Sequence, residues 1–210
     1  PSLALTFTNF RVLNSDGTVA DPDFLAGYAT FAALRRLAPD GVRLPREACY
    51  LALLRANFIG TSGVAVRRDV IERVGGFDES LASGEDIDLW LRIAREHDCG
   101  YVDIAGHGYR RHPASVMHQF EARHPLARIE VVRRHLPHVS DPATLRVMRR
   151  RLADSHASLG YIWQKRGDAA LARGNYLASL RLAPSAGALA GYLKCLLGGA
   201  LLRGRQEQDA

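Results

Sequence analysis

The chain has 210 residues, 47% of them hydrophobic and 24% charged, with a mean hydropathy near zero and a formal net charge of +6. That is enough for one sizeable core or two small ones, and no apolar run reaches the ~18 residues of a membrane-spanning helix. The positive excess is modest and almost all arginine, the only lysines being Lys165 and Lys194, and no nucleic-acid-binding signature accompanies it, so nucleic acid is not an expected partner.

Residues 3–13 alternate loosely and are rich in Thr, Phe and Val, which predicts a strand. Asn14-Ser15-Asp16-Gly17 reads as a turn, and Thr18-Val19 returns as a short strand. Residues 24–37 have a helical tendency despite Gly27 and end before the breaker Pro39-Asp40-Gly41. A further short helix is expected over 47–54. Residues 57–66 are apolar, β-branched and glycine-punctuated, the pattern of a buried strand entered through a tight loop. Residues 68–74 predict a short helix closed by Gly75-Gly76. A helix over 86–97 places Ile87, Trp90, Leu91 and Ala94 on one face and pairs Asp88 with Arg92 at i,i+4. Ser83, three residues before Asp86, suggests a capping-box start. A strand over 100–104 is then followed by a loop, GHGYRRHPAS.

Beyond Met117 the sequence is helical and arginine-rich, with no strand signal. Asp141-Pro142 is a clean helix start, and that helix is expected to run to about Lys165 and stop at Gly167. Leu159, Gly160, Trp163, Ala172, Tyr176, Ser179 and Pro184 fall at the spacing of one tetratricopeptide repeat, which the segment resembles. Gly160 and Ala172 would let two helices approach, with Trp163 and Tyr176 filling the groove, and residues 186–202 would cap the pair. The expected organisation is an α/β part over 1–117, a helical linker over 118–140 and a tetratricopeptide-like all-α helical hairpin region over 141–210.

The three cysteines, Cys49, Cys99 and Cys195, make no metal spacing and no disulfide framework, so a reducing, cytoplasmic setting is expected. The arginine-rich helices allow a peripheral position at the inner face of the plasma membrane, although solvated helix faces account for them more simply. No signal peptide is visible, and a start at Pro1 suggests a piece of a longer chain.

The acids that stand out are Glu85 and Asp86, where the 86–97 helix begins. Carboxylates there are favoured by the helix dipole and the free N–H groups of the first turn. Taken alone such a pair only caps a helix, but this one follows a glycine-punctuated apolar stretch and a GGFDE turn. The run GVAVRRDVIERVGGFDESLASGEDIDLWLRIA, with YRRHPAS after it, resembles the C-terminal half of family-two glycosyltransferases of the GT-A fold. The resemblance covers residues 1–117 and is densest over 57–115. It implies a partial GT-A domain and an inverting sugar transfer, with Asp86 as catalytic base and Glu85 as its neighbour. Such a base takes a proton from the acceptor hydroxyl as that oxygen attacks the anomeric carbon.

The resemblance also implies that His112 binds the metal–diphosphate of the donor, the ion being Mn²⁺ or Mg²⁺. Imidazole is a competent Mn²⁺ ligand beside carboxylate and phosphate oxygens. Arg110 and Arg111 would neutralise the leaving diphosphate. Gly60, Thr61, Ser62 and Gly63 would line donor and acceptor sugar, or serve only as a tight entry into a strand. The family's metal-binding Asp-x-Asp has no convincing counterpart. Asp21-Pro22-Asp23 reads as a polar turn, and Asp86-Ile87-Asp88 falls inside the acidic motif, so the metal aspartates are expected upstream of Pro1, leaving this piece inactive alone. The implied partners are a nucleotide-diphosphate sugar and a saccharide or glycolipid acceptor. The competing expectation is a catalytically inert interaction module that binds a protein through the helical tail.

Overall fold

The structure, a computed structural model, describes residues 3–38, 42–111 and 122–206, with side chains as far as residue 197. It is a mixed α/β chain with two compact units, Pro1–Gln119 and Phe120–Ala210.

The first unit is built on β1 (Leu3–Leu13), an eleven-residue strand with both faces largely buried. β5 (Asp98–Arg110) runs parallel to β1 along nearly its whole length. The other edge of β1 is shared by two antiparallel strands, β4 (Val64–Val66) against Leu5, Thr6 and Phe7, and β2 (Val19–Asp21) against Val12 and Leu13. β3 (Arg43–Leu44) pairs antiparallel with Gly100 and Cys99 of β5. Phe7 anchors the core, its ring 5.9, 5.8 and 5.4 Å from those of Phe31, Phe58 and Tyr101. Phe31 comes from α1 (Ala29–Arg35), while α2 (Arg46–Arg55) buries Leu53 and Leu54. α3 (Arg68–Val74) buries Val70, and α4 (Glu85–Glu96) buries Leu89, Trp90, Leu91 and Ile93.

Four expectations change. The 24–37 stretch is not one helix: a 3₁₀ turn, Phe24–Gly27, ends at Tyr28, whose extended backbone separates it from α1. The buried strand expected over 57–66 shrinks to β4, because residues 57–60 have no ladder partner and Thr61–Gly63 form a 3₁₀ turn. The loop expected after residue 104 is strand through Arg110, paired with β1. The N-cap position of α4 falls on Gly84 rather than Ser83. Gly84, at φ 75°, occupies the N-cap with no side-chain cap bond, and that left-handed conformation suits glycine.

Asp98 fastens β5 to the start of α2. Its Oδ1 accepts the Arg46 N–H at 2.8 Å, and its Oδ2 accepts the Arg43 guanidinium, whose Nε lies at 2.7 Å. Burial acts to raise the Asp98 pKa, but the Arg43 guanidinium and the Arg46 N–H outweigh it and hold the carboxyl below its ordinary value. A depressed carboxyl stabilises the fold above its unfolded pKa, about 3.9, and that contribution is lost as pH falls through the folded value. Asp98→Asn is therefore expected to be less stable than wild type at pH 7, with the gap closing below about pH 4 in urea unfolding.

The second unit is helical. α5 (Arg123–His135) leads through a 3₁₀ turn, Leu136–His138, to α6 (Pro142–Lys165), where Asp141 accepts the Thr144 N–H at 2.7 Å and Pro142 opens the helix as expected. Gly167, at φ 82°, turns the chain into α7 (Ala169–Leu182), capped by Asp168 on the Leu171 N–H, and α8 (Ala186–Gln206) follows. Tyr176 is the contact point of three helices. A Cβ added at Gly160 of α6 would lie 2.8 Å from its ring, one added at Gly191 of α8 only 2.3 Å, and its hydroxyl donates to Gln164 Oε1 at 2.8 Å.

This geometry sets the sign of glycine substitutions. Gly→Ala within a helix is worth about 1 kcal/mol in propensity, whereas overpacking costs about 1–3 kcal/mol. Gly174→Ala, where a Cβ meets nothing within 4 Å, is expected to stabilise the unit. Gly160→Ala and Gly191→Ala are expected to destabilise it, because the pinned ring cannot yield. Thermal melts of the three variants check the sign.

Candidate active site

The loop before β4 and the start of α4 meet. Phe58 and Ile59 are 1% and 2% exposed, so they anchor the 57–60 segment to the core and leave Asn57 and Thr61 at its edge. Gly60 and Gly63 let this loop lie against the strands. A Cβ on Gly63 would stand 2.6 Å from Thr8 Oγ1 and 2.7 Å from His107 Nδ1, and one on Gly60 3.2 Å from the rings of His107 and Phe10. Ser62 is exposed on the same turn.

The acidic pair divides at the first turn of α4. Glu85 is exposed, whereas Asp86 is half-buried and faces the loop. Asp86 Oδ1 accepts its neighbour's N–H, that of Ile87, at 2.6 Å. Oδ2 accepts Asn57 Nδ2 at 3.3 Å and Thr61 Oγ1 at 3.5 Å. All three partners are donors and the two to Oδ2 are long, so a carboxylate with about four acceptor positions keeps capacity for a further proton donor. The third acid, Asp88, is not part of this cluster. It is 1% exposed and bonded to Arg92 Nε at 2.8 Å.

Asn57 and His107 belong to the cluster, although sequence reasoning gave neither a role. The Oδ1 of Asn57 is buried and has no hydrogen-bond partner among the described residues. His107 lies opposite Phe10 in the β1–β5 register and stacks on it at 4.8 Å. Its Nδ1 is buried and unpartnered among the described residues, and burial pushes its pKa below the ordinary histidine value, which favours the neutral ring. Asn57 was visible as the one polar residue opening an apolar run. His107 carried no signal while its segment read as a loop.

Arg110 and Arg111 stand elsewhere. Three and four residues on from His107, or about 10–13 Å of strand, they hold the 14–17 turn. Arg110 Nη1 donates to Ser15 O at 3.3 Å, the Arg111 N–H donates to Leu13 O at 2.9 Å, and Ser15 Oγ donates to Arg111 O. Neither contacts Asp86 among the described interactions. His112 lies outside the described residues.

Asp21-Pro22-Asp23 serves as a turn, as the sequence suggested. Asp21 Oδ1 accepts the Asp23 N–H, and Asp23 Oδ1 accepts the Ala26 N–H and Asn9 Nδ2, the latter at 2.6 Å. Among the described residues no three His, Cys, Asp or Glu side chains converge as a metal-binding group. No helix among them is long and apolar enough to cross a membrane. The chain is matched by no protein-family model, no curated protein and no solved structure.

Proposed function

We propose that residues 1–117 are the C-terminal half of a GT-A glycosyltransferase domain, and that Asp86 is the base of an inverting sugar transfer. The observation that carries this reading is the division of the acidic pair: Asp86 alone is bonded to Thr61 and Asn57 of the facing loop, while Glu85 stands in solvent. In the reaction an acceptor hydroxyl attacks the anomeric carbon of a nucleotide-diphosphate sugar. Its proton passes to Asp86 Oδ2 and the bond to the diphosphate breaks. A saccharide or glycolipid hydroxyl is the acceptor, and the turn at Thr61–Gly63 borders the sugar. His112 would serve the diphosphate, while Arg110 and Arg111, tied to the 14–17 turn, would reach only the end of the donor remote from Asp86, and any Mn²⁺ or Mg²⁺ would take its main ligands from outside the described residues.

The deciding experiment is transfer from a labelled donor by the full-length protein carrying Asp86→Asn. A second reading, an inert interaction module, draws on α8, where Leu189, Leu193, Leu196 and Leu197 are exposed in an i, i+4, i+7, i+8 stripe. It takes over if the unaltered full-length protein transfers no sugar and the 118–210 fragment retains a protein partner.

A further inference from the structure

The helical unit contains a cavity of about 700 Å³ between the first half of α6 and the end of α7. Four arginines line it, Arg146, Arg149, Arg150 and Arg151, and no acid is among its lining residues. Leu145, Val147 and Leu182, also in the lining, are half-buried, whereas Arg146, Arg149 and Arg150 are exposed, so cationic heads surround an apolar interior.

The charges are only partly balanced. Arg150 pairs with Asp154 at 3.0 Å, but Arg146 and Arg149 make no ion pair among the described residues. Arg151 is half-buried, and burial together with the like charge of Arg128 brings its pKa down to about 10, still protonated at neutral pH. The C-terminal pole of α7 supplies about half a negative charge, well short of the two guanidinium groups of Arg146 and Arg149. Solvated surface arginines would explain the charge but not its placement around an apolar cavity.

We propose that this cavity binds an organic phosphate. Its phosphate or diphosphate is held by Arg146 and Arg149, and its apolar part lies against Leu145, Val147 and Leu182. Planar guanidinium forks match phosphate oxygens, and pockets of about 300–1,000 Å³ suit a ligand larger than a lone phosphate. A lipid headgroup and a soluble phosphate ester share this chemistry.

The test uses the 210-residue chain, titrated with inorganic pyrophosphate by calorimetry and sedimented with phosphatidylglycerol or phosphatidylcholine vesicles. At least one anionic probe is expected to bind, and R146Q/R149Q to weaken it about tenfold or more, while R133Q/R173Q, equal in charge loss but away from the cavity, changes it less than about twofold. Binding to phosphatidylglycerol vesicles but not to pyrophosphate assigns a lipid headgroup, and binding to pyrophosphate alone assigns a soluble phosphate. Both are forms of the same site. Binding of neither probe, or equal weakening by the two double variants, overturns the proposal. If R146Q/R149Q loses its thermal transition, Arg149→Gln alone is compared with Arg133→Gln by the same criterion.

Discussion

In the full-length protein, Asp86→Asn is expected to reduce sugar transfer by about 10²–10⁴-fold, with Glu85→Gln costing less than about tenfold. An asparagine fills the same space and can keep one oxygen on the Ile87 N–H, but it has no basic oxygen to take the acceptor proton. The loss should therefore fall on kcat, with KM for the donor nearly unchanged, as for a group whose contribution is made in the transition state. Glu85 is exposed and is the control for charge at the helix N-terminus. The amide at position 86 would also turn donor toward donor at Asn57 Nδ2, whereas the Thr61 hydroxyl can rotate to accept, so a modest loss in thermal stability is expected beside the kinetic effect. Near-normal turnover by Asp86→Asn would remove it as the base. A comparable loss in Glu85→Gln would mean that the pair acts through helix electrostatics rather than proton transfer.

How far the sequence reveals this site depends on which residues are fixed by local rules. The start of α4 was legible because acids favour a helix N-terminus and the apolar period from Leu89 to Ala94 is helical. Its cap was not, because glycine at positive φ replaced the serine that a capping box would use. The stretch 57–66 looked like a strand because Phe58 and Ile59 are apolar, yet they are buried by packing on the core rather than by ladder bonds. β5 was cut short by the opposite error. Gly106 and Gly108 read as loop residues, but a Cβ on Gly106 would lie 2.3 Å from Thr8 Oγ1 and one on Gly108 2.8 Å from Leu13 Cδ1. These glycines answer the close approach of β1 side chains, a tertiary demand that no local window contains. His107 sits between them, which is why its place beside the 60–63 turn appears only in the fold.

Arg92→Ala is expected to cost about 3–5 kcal/mol of stability, the usual price of stripping the partner from a buried charge. Arg92 fastens α4 to the turn that precedes it. Its Nε bonds Asp88 at 2.8 Å, Nη2 donates to Gly76 O at 2.7 Å, and Nη1 donates to Val74 O. Gly75 and Gly76, at φ 87° and 68°, bend the chain so that these carbonyls face the guanidinium. The two ends of the pair are unequally protected, the Asp88 side chain being 2% exposed and that of Arg92 22%. Removing the arginine therefore takes a guanidinium from a carboxylate that water hardly reaches. Asp88→Ala leaves a guanidinium that still has two carbonyls and access to solvent, and about 1–3 kcal/mol is expected. The double variant should lose less than the sum of the singles, since neither buried charge then lacks its partner. Urea unfolding of the four proteins gives the coupling directly, and a value under about 0.5 kcal/mol would mean that Arg92 acts through the carbonyls of Val74 and Gly76 rather than through Asp88. Because the contacts of Arg92 are with Asp88, Val74 and Gly76 and not with Asp86, Arg92→Ala measured at a temperature where it remains folded should retain far more transfer activity than Asp86→Asn, separating the support of the turn from the proposed chemistry at Asp86.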